Sequence, residues 1–326
     1  MDFVPDAFVE ALCAHLDWWD LETLQSINSS WTSNAGFYYS KRRKISVTLW
    51  ANDEGTQVEI WTLLDDERVP FIIDPRYDQI EQISLSPFEE DSPPIYKASF
   101  KHFTNKVLPV LSSLAVHCKF DIFRSPNQNL TDILFDGLYS CVQLKAIYTA
   151  NYGEKCTKFI EHQIGLGHVE QLYLDGDGWP GRMRTSIRSF LKSPVLVRLH
   201  LIYSNLTLDF DMVTGFIGRF LDGDRPDAIS LDGPISFPLK DLRSFRPESL
   251  ADCWLSDPFG KNITWARPPG RLFVSVEVNS PGYMSVSYRE VIDAPRRSVM
   301  EVVYSWLYFV RDVIVFHLSQ FNSIAE

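Results

Sequence analysis

Short β-type runs return along the middle of the chain as KFDIF, LKAIYTA, VEQLYLD, LVRLHLIY and AISLD, each of the first four followed by a stretch with apolar residues at helical spacing. Aligning Phe120, Ile147, Leu172, Leu199 and Ile229 gives steps of 27, 25, 27 and 30 residues. Few architectures accept a strand that recurs on such an interval, because neighbouring parallel strands need a long crossover and a helix usually supplies it. The runs at 119–123, 144–150, 169–175, 196–202 and 228–232 are therefore expected to form one parallel sheet in sequential order, with their helices on its outer side.

The interval falls in or near the range of leucine-rich repeats. Leu172-Tyr173-Leu174 and Leu199-His200-Leu201 supply an L-x-L core, but no asparagine ladder follows. Residues 117–238 thus resemble a divergent, irregular leucine-rich-repeat-like βα solenoid. An ordinary compact α/β domain would show the same alternation.

On either side the pattern changes. Residues 44–116 open with ISVTLW and TQVEIWTLL around the turn formers of ANDEG, which predicts a β-hairpin leading into a connecting α/β segment. The acidic, proline-bearing SPFEEDSPP at 86–94 is expected to be a surface loop. After Pro238 the alternation fades, and RLFVSVEV and MSVSYREV make residues 239–326 a β-rich C-terminal cap with an apolar terminal segment. That segment, 299–318, has the length of a membrane span, yet Glu301, Arg311, Asp312 and His317 interrupt it. Each mid-span charge costs about 2.5–3.5 kcal/mol, so a docked soluble element is expected and a membrane partner is not.

A chain of 326 residues, 45% of them hydrophobic, can bury a sizeable core. Its formal net charge of −11 argues against nucleic acid as a partner, since phosphate backbones select for excess Lys and Arg. Lys41-Arg42-Arg43-Lys44 is the one basic run; it could serve as a nuclear address, and a solvated helix end is the plainer reading. The cysteines at 13, 118, 141, 156 and 253 have no metal-type spacing and are expected to be reduced and mostly in the core. MDFVPDAFVE has no basic or long apolar region, so no signal peptide is expected. No phosphate-loop, dinucleotide-binding, zinc-protease or serine-hydrolase motif is present in the sequence, and no enzyme or cofactor is expected. Asp175-Gly176-Asp177-Gly178 resembles the start of a calcium loop but lacks the later ligands, which makes it a βα turn. Glu161-His162 and His168 have no sequence neighbours that would complete a metal site.

The first forty residues read differently. Phe8, Leu12 and Leu16 recur at helical spacing behind Pro5; Asp20 is a natural N-cap for a second short helix with Leu21, Leu24 and Ile27; a third helix carries Trp31. Three such helices have too little interior to be strongly stable alone.

From Val4-Pro5 to Trp31 this string resembles the F-box, the helical motif by which substrate adaptors dock on Skp1 in cullin-RING ubiquitin ligases. Its pattern is met, without a gap, by Val4-Pro5, Leu16, Asp20-Leu21, Leu24, Ile27 and Trp31. Val4 stands where the family prefers Leu, and Asn28, Ser29 and Ser30 stand where it has Cys and basic residues. The phrase FIEHQI followed by VEQLYLDGDGWP, in its succession of βα units, is similar to the divergent F-box-like families expanded in nematodes. The resemblance implies an F-box-like unit over 1–43 that binds a Skp1-like protein, and through it a cullin, by Pro5, Leu12, Leu16, Leu21, Leu24, Ile27 and Trp31. Pro5, Leu16, Leu21, Leu24 and Ile27 would be partly open in the free chain, and Trp31 would anchor the third helix to the following domain or to the partner. It also implies a βα region that holds an unknown client protein, and a cytoplasmic or nuclear, non-catalytic adaptor of a ubiquitin ligase. A leucine-rich-repeat-like interaction module without ligase engagement is the alternative.

Overall fold

The computed structural model describes residues 6–16, 18–26, 31–52, 54–65, 67–86, 96–122, 127–201, 203–221, 229–242, 245, 254–256, 262–267, 272–280 and 283–290. The loop expected at 86–94, apart from Ser86, lies outside them, as do Cys253 and the apolar segment 299–318.

Three short helices come first: α1 (Asp6–His15), α2 (Trp18–Ser26) and α3 (Trp31–Lys41). Helices of this length are marginal in isolation, so packing must hold them. They share a small core of Val9, Cys13, Leu21, Ala35 and Tyr38, with Tyr77 of the following region packed against it.

The expected hairpin follows, as β1 (Arg43–Ala51) and β2 (Gln57–Leu64) in antiparallel register from Ile45 opposite Leu64 to Ala51 opposite Val58. The Asn52 side chain closes its turn by accepting from the amides of Thr56 and Gln57 at 2.9 and 2.8 Å. Next come β3 (Glu67–Val69), β4 (Asp78–Leu85) and β5 (Tyr96–Ser99), then α4 (Phe100–His102), a π-helical turn over Phe103–Val107 and α5 (Leu108–Leu114).

Regular alternation begins with β6 (Ala115–Ile122) and α6 (Gln128–Gly137), and continues through β7 (Leu144–Ala150), α7 (Glu154–Leu166), β8 (Gln171–Asp175), α8 (Met183–Lys192), β9 (Arg198–His200), α9 (Phe210–Leu221) and β10 (Ser230–Pro234). Local signals set the boundaries. Asn127 caps α6 by accepting from the Leu130 amide at 2.9 Å, and α7 ends at Gly167 in the left-handed conformation. A short α10 (Leu239–Leu242) leads to β11 (Trp254–Ser256), β12 (Asn262–Arg267), β13 (Leu272–Ser280) and β14 (Tyr283–Glu290).

Among the described residues these strands form one 14-stranded sheet, in the order β11-β12-β13-β14-β10-β9-β8-β7-β6-β4-β1-β2-β3, with β5 also on β2. The stretch from β1 through β4 and β6 to β10 is parallel; antiparallel strands flank it on both sides. The runs expected to pair in sequential parallel order do so. Phe120 faces Ile147, Ile147 faces Leu172 and Leu172 faces Leu199, as aligned. The fifth anchor is Leu231, two positions beyond the expected Ile229. A slip of two preserves the face each side chain takes, which is why the alternation still read correctly.

Residues 44–116 are more than a connector. β1 pairs with β4, and β4 with β6, so the hairpin region extends the same sheet. Helices α5 to α9 contact one another in sequential order, and their buried side chains join Ile83, Phe120, Ile147, Leu172, Leu199 and Leu231 in a single core. The helices thus cover one face of the parallel sheet. At the centre, Phe120, Phe135 and Phe159 meet with ring centroids 5.1–6.1 Å apart, an aromatic cluster that fills the volume between strand and helices. The molecule is a mixed α/β fold: three N-terminal helices, then an open sheet.

Candidate functional site

Two surfaces present chemistry outward: the N-terminal helices and the sheet face opposite α5 to α9.

On the helices, Leu12, Leu16, Leu24 and Trp31 are half-buried. Pro5 and Ile27 lie outside the described residues. Leu21, expected to be partly open, is 0% exposed, because α3 folds across α2 and encloses it with Ala35 and Tyr38. Leu21 is a core residue of the unit. The apolar surface that does face outward comes from Phe8, Trp19 and Phe37, at 56%, 64% and 47% exposure. Trp18 stacks on Tyr39 of α3 at 4.7 Å, and Trp19 meets Trp18 edge-on at 5.2 Å. Cover for Trp18 thus comes from Tyr39 of the third helix.

The basic run departs furthest from expectation. Arg42 is half-buried, and its guanidinium donates to the carbonyls of Cys13 (2.6 Å), Leu16 (3.1 Å), Ala14 (3.3 Å) and Tyr77 (3.5 Å). It satisfies the carbonyls that α1 leaves open at its C-terminus, where positive charge also suits the helix dipole. Gln79 of β4 donates to the Leu16 carbonyl as well, at 2.9 Å, so the helical unit is tied to the sheet. Arg43 grips the buried Asp78 carboxylate with two bonds of 2.7 Å. Only Lys41 and Lys44 match the solvated reading.

The open sheet face is built from the residues between the core anchors. Across the strands, Thr48, Ser84, Asp121, Tyr148, Tyr173, His200, Asp232 and Ser285 occupy one continuous rung, buried at Thr48 and Ser84 and open from Asp121 onward. Gln82, Lys119, Ala146, Gln171, Arg198 and Ser230 form the rung beside it. The two rungs interlock. Lys119 pairs with Asp121 at 2.9 Å and lies 4.3 Å above the Tyr148 ring. Tyr148 packs on Tyr173 at 4.0 Å and Tyr173 on His200 at 5.0 Å. Arg198 donates to the Tyr173 hydroxyl at 2.7 Å and to Ser230 at 2.9 Å. Burial, and next the neighbouring Tyr173, pushes the Tyr148 phenol up to about 12, so it remains a donor and bonds Gln171 at 3.0 Å.

Where these strands end, a groove of about 430 Å³ opens, lined by Asp121, Tyr148, Tyr152, Tyr173, Asp175, His200 and Tyr203 among others. Sequence reasoning missed this row, although its signal was present. Asp121, Tyr148, Tyr173 and His200 each follow one of the aligned anchors by a single position, where alternation turns a side chain to the opposite face.

Other singled-out groups have ordinary work. Gly176 and Gly178 take φ of 75° and 88°, so the Asp-Gly pairs form a βα turn. His162 stacks on Tyr139 at 3.9 Å, and Glu161 pairs with Arg182 at 3.0 Å. Cys13, Cys118, Cys141 and Cys156 are buried free thiols. Among the described residues no group of three His, Cys, Asp or Glu side chains is placed to hold a metal ion, and no helix is long and apolar enough to cross a membrane.

No protein-family model matches this chain, and no curated protein matches it.

Proposed function

We propose that the chain is a non-catalytic adaptor that binds a Skp1-like protein, and through it a cullin, by its N-terminal helices and a client protein by the open face of its leucine-rich-repeat-like βα sheet. The observation that carries the reading is the small helical unit that keeps Phe8, Trp19 and Phe37 outward while, among the described residues, its own core encloses five apolar side chains. Exposed aromatic surface on helices this short favours completion by a partner. The ungapped register from Pro5 to Trp31 gives that partner its identity. An adaptor of this kind acts by effective concentration: holding the client beside the ligase turns a bimolecular transfer into an intramolecular one.

The test is capture of a purified Skp1-like protein by the full chain at micromolar concentration. Truncation of central apolar anchors typically costs about 2 kcal/mol or more, roughly thirtyfold in affinity. Phe8→Ala with Trp19→Ala should therefore abolish capture and leave the fold intact, since neither side chain is in the core. Failure of the wild-type chain to capture the protein refutes the reading.

A second reading has its own support. Leu21 is sealed inside, and Arg42 and Gln79 fasten the helices to the sheet, as a terminal cap of the βα stack would be fastened. On that reading the sheet face binds a partner without a ligase.

A further inference from the structure

We propose that the groove at the ends of β6 to β9 receives a cationic side chain, an arginine or lysine presented by a basic segment of the client protein. The inference rests on the reading of the open sheet face as the partner-binding surface and adds the chemistry of what binds there.

Charge comes first. The groove is lined by Asp121, Asp175, His200 and four tyrosines, at 148, 152, 173 and 203, and among the described residues no lysine or arginine is in its wall. An anionic or phosphorylated ligand would meet carboxylates, and the positive charge beside them, Lys119, is already paired with Asp121. Asp121 and Asp175 sit on strands two apart and two residues out of step, on the order of 12 Å between backbones from the usual sheet spacings. Between them lie Tyr148 and the small side chain of Ala150, which lowers the floor.

The carboxylates are not equally engaged. Asp121 is held by Lys119 at 2.9 Å. Asp175 uses one oxygen to accept from the Gly176 amide at 2.7 Å, and its side chain is exposed, so among the described residues its second oxygen faces no donor. It is the natural ion-pair partner for an incoming cation.

Aromatic walls supply the rest. A cation over a tyrosine face is attracted by the ring's quadrupole, more strongly where water is partly excluded. The fold already uses Tyr148 in this way for Lys119, at 4.3 Å. Tyr203, at 72% exposure, projects at the rim, where it can close over an extended aliphatic stem and its charged head. The formal net charge of −11 favours encounter with a basic segment over the whole surface.

The test uses the full chain and a fluorescent Gly/Ser peptide bearing two arginines, followed by anisotropy at about 0.15 M ionic strength. Versions carrying lysine, neutral citrulline or glutamate at the same places are the comparison. The arginine or lysine peptide should bind, and the citrulline and glutamate peptides should not. Asp175→Asn, which keeps the oxygen that accepts from Gly176, and Tyr203→Ala should each weaken binding by about three- to tenfold or more. Glu54→Gln removes the same unit of charge from the exposed hairpin turn and should change nothing. Equal binding of the citrulline peptide, no binding of either basic peptide, or undiminished binding by Asp175→Asn and Tyr203→Ala overturns the inference. Capture of the Skp1-like protein by the wild-type chain reads the adaptor assignment separately. In the wild-type chain, capture with no binding of either basic peptide refutes the groove alone; peptide binding with no capture refutes the adaptor alone.

Discussion

Replacing Arg42 with alanine should release the N-terminal helices from the sheet. Two of the four guanidinium bonds, to Cys13 and Leu16, are at 2.6 and 3.1 Å; those to Ala14 and Tyr77 are longer, at 3.3 and 3.5 Å. Hydrogen bonds to charged groups contribute about 1.5–3 kcal/mol each when sheltered. Arg42 is only half-buried and water can reach part of what it leaves, so we take the two short bonds as dominant and expect a net loss of about 2–4 kcal/mol. Against a small local core, with Gln79 and Tyr77 as the other ties to the sheet region, that is a large share of what holds the unit in place. Hydrogen exchange followed by mass spectrometry reads it directly. Amide protection across α1 and α2 should fall by roughly 30- to 1,000-fold, while β6 to β9 keep theirs. Arg42→Lys should recover less than half of the effect, because an ammonium cannot reproduce the planar fork that reaches several carbonyls at once. Protection in α1 and α2 within about threefold of wild type would refute the argument and return Arg42 to the solvated surface.

Leu21→Ala should destabilise the helical unit by about 2–5 kcal/mol, seen as early loss of helix in thermal melts; an unchanged melt would mean Leu21 is not enclosed. Phe159→Ala should cost about 3–5 kcal/mol in chemical denaturation, since it empties the cluster with Phe120 and Phe135. Burial pushes the Cys156 thiol up to about 11, so it should resist alkylation at pH 8 until the protein unfolds. The same shift contributes stability below the unfolded thiol range near pH 8.5 that is lost as pH rises toward 11, and Cys156→Ser should flatten that part of the pH–stability curve. Asp209 caps α9 through the Met212 amide at 3.0 Å; burial alone would raise its carboxyl, but that amide and Arg188 outweigh it and hold it below the ordinary range. Asp209→Ala should cost about 1 kcal/mol at pH 7, and less as acid protonates the wild-type carboxylate below pH 4.

Four of the five strand anchors were legible because a parallel strand backed by helices keeps its apolar residues on one face, and that periodicity is local. The fifth was displaced to Leu231, which shares its face with Ile229 and so carries the same local pattern. β4 escaped sequence reasoning because its placement between β1 and β6 depends on pairings made across more than thirty residues, which no short window contains. Leu21 and Arg42 failed for a related reason. Both sit in segments that look like exposed amphipathic helix and basic run until α3 and Tyr77 fold over them. The groove went unread: alternation turns Tyr148, Tyr173 and His200 away from the anchors, but their contact across three strands needed the register.

The order of the sheet has a consequence for how the chain assembles during synthesis. From β6 to β10 every new strand pairs with the one made before it, so each βα unit can dock as it leaves the ribosome. The C-terminal strands break that rule. β11, β12 and β13 are made before β14, yet β14 alone pairs with β10 and the others attach behind it. They have no place on the sheet until β14 arrives, and until then β10 stands as an open edge able to recruit a strand from another chain. A nascent chain stalled before Tyr283 would therefore carry a folded βα stack with an unprotected flank, and aggregation, rather than unfolding, would be its characteristic failure.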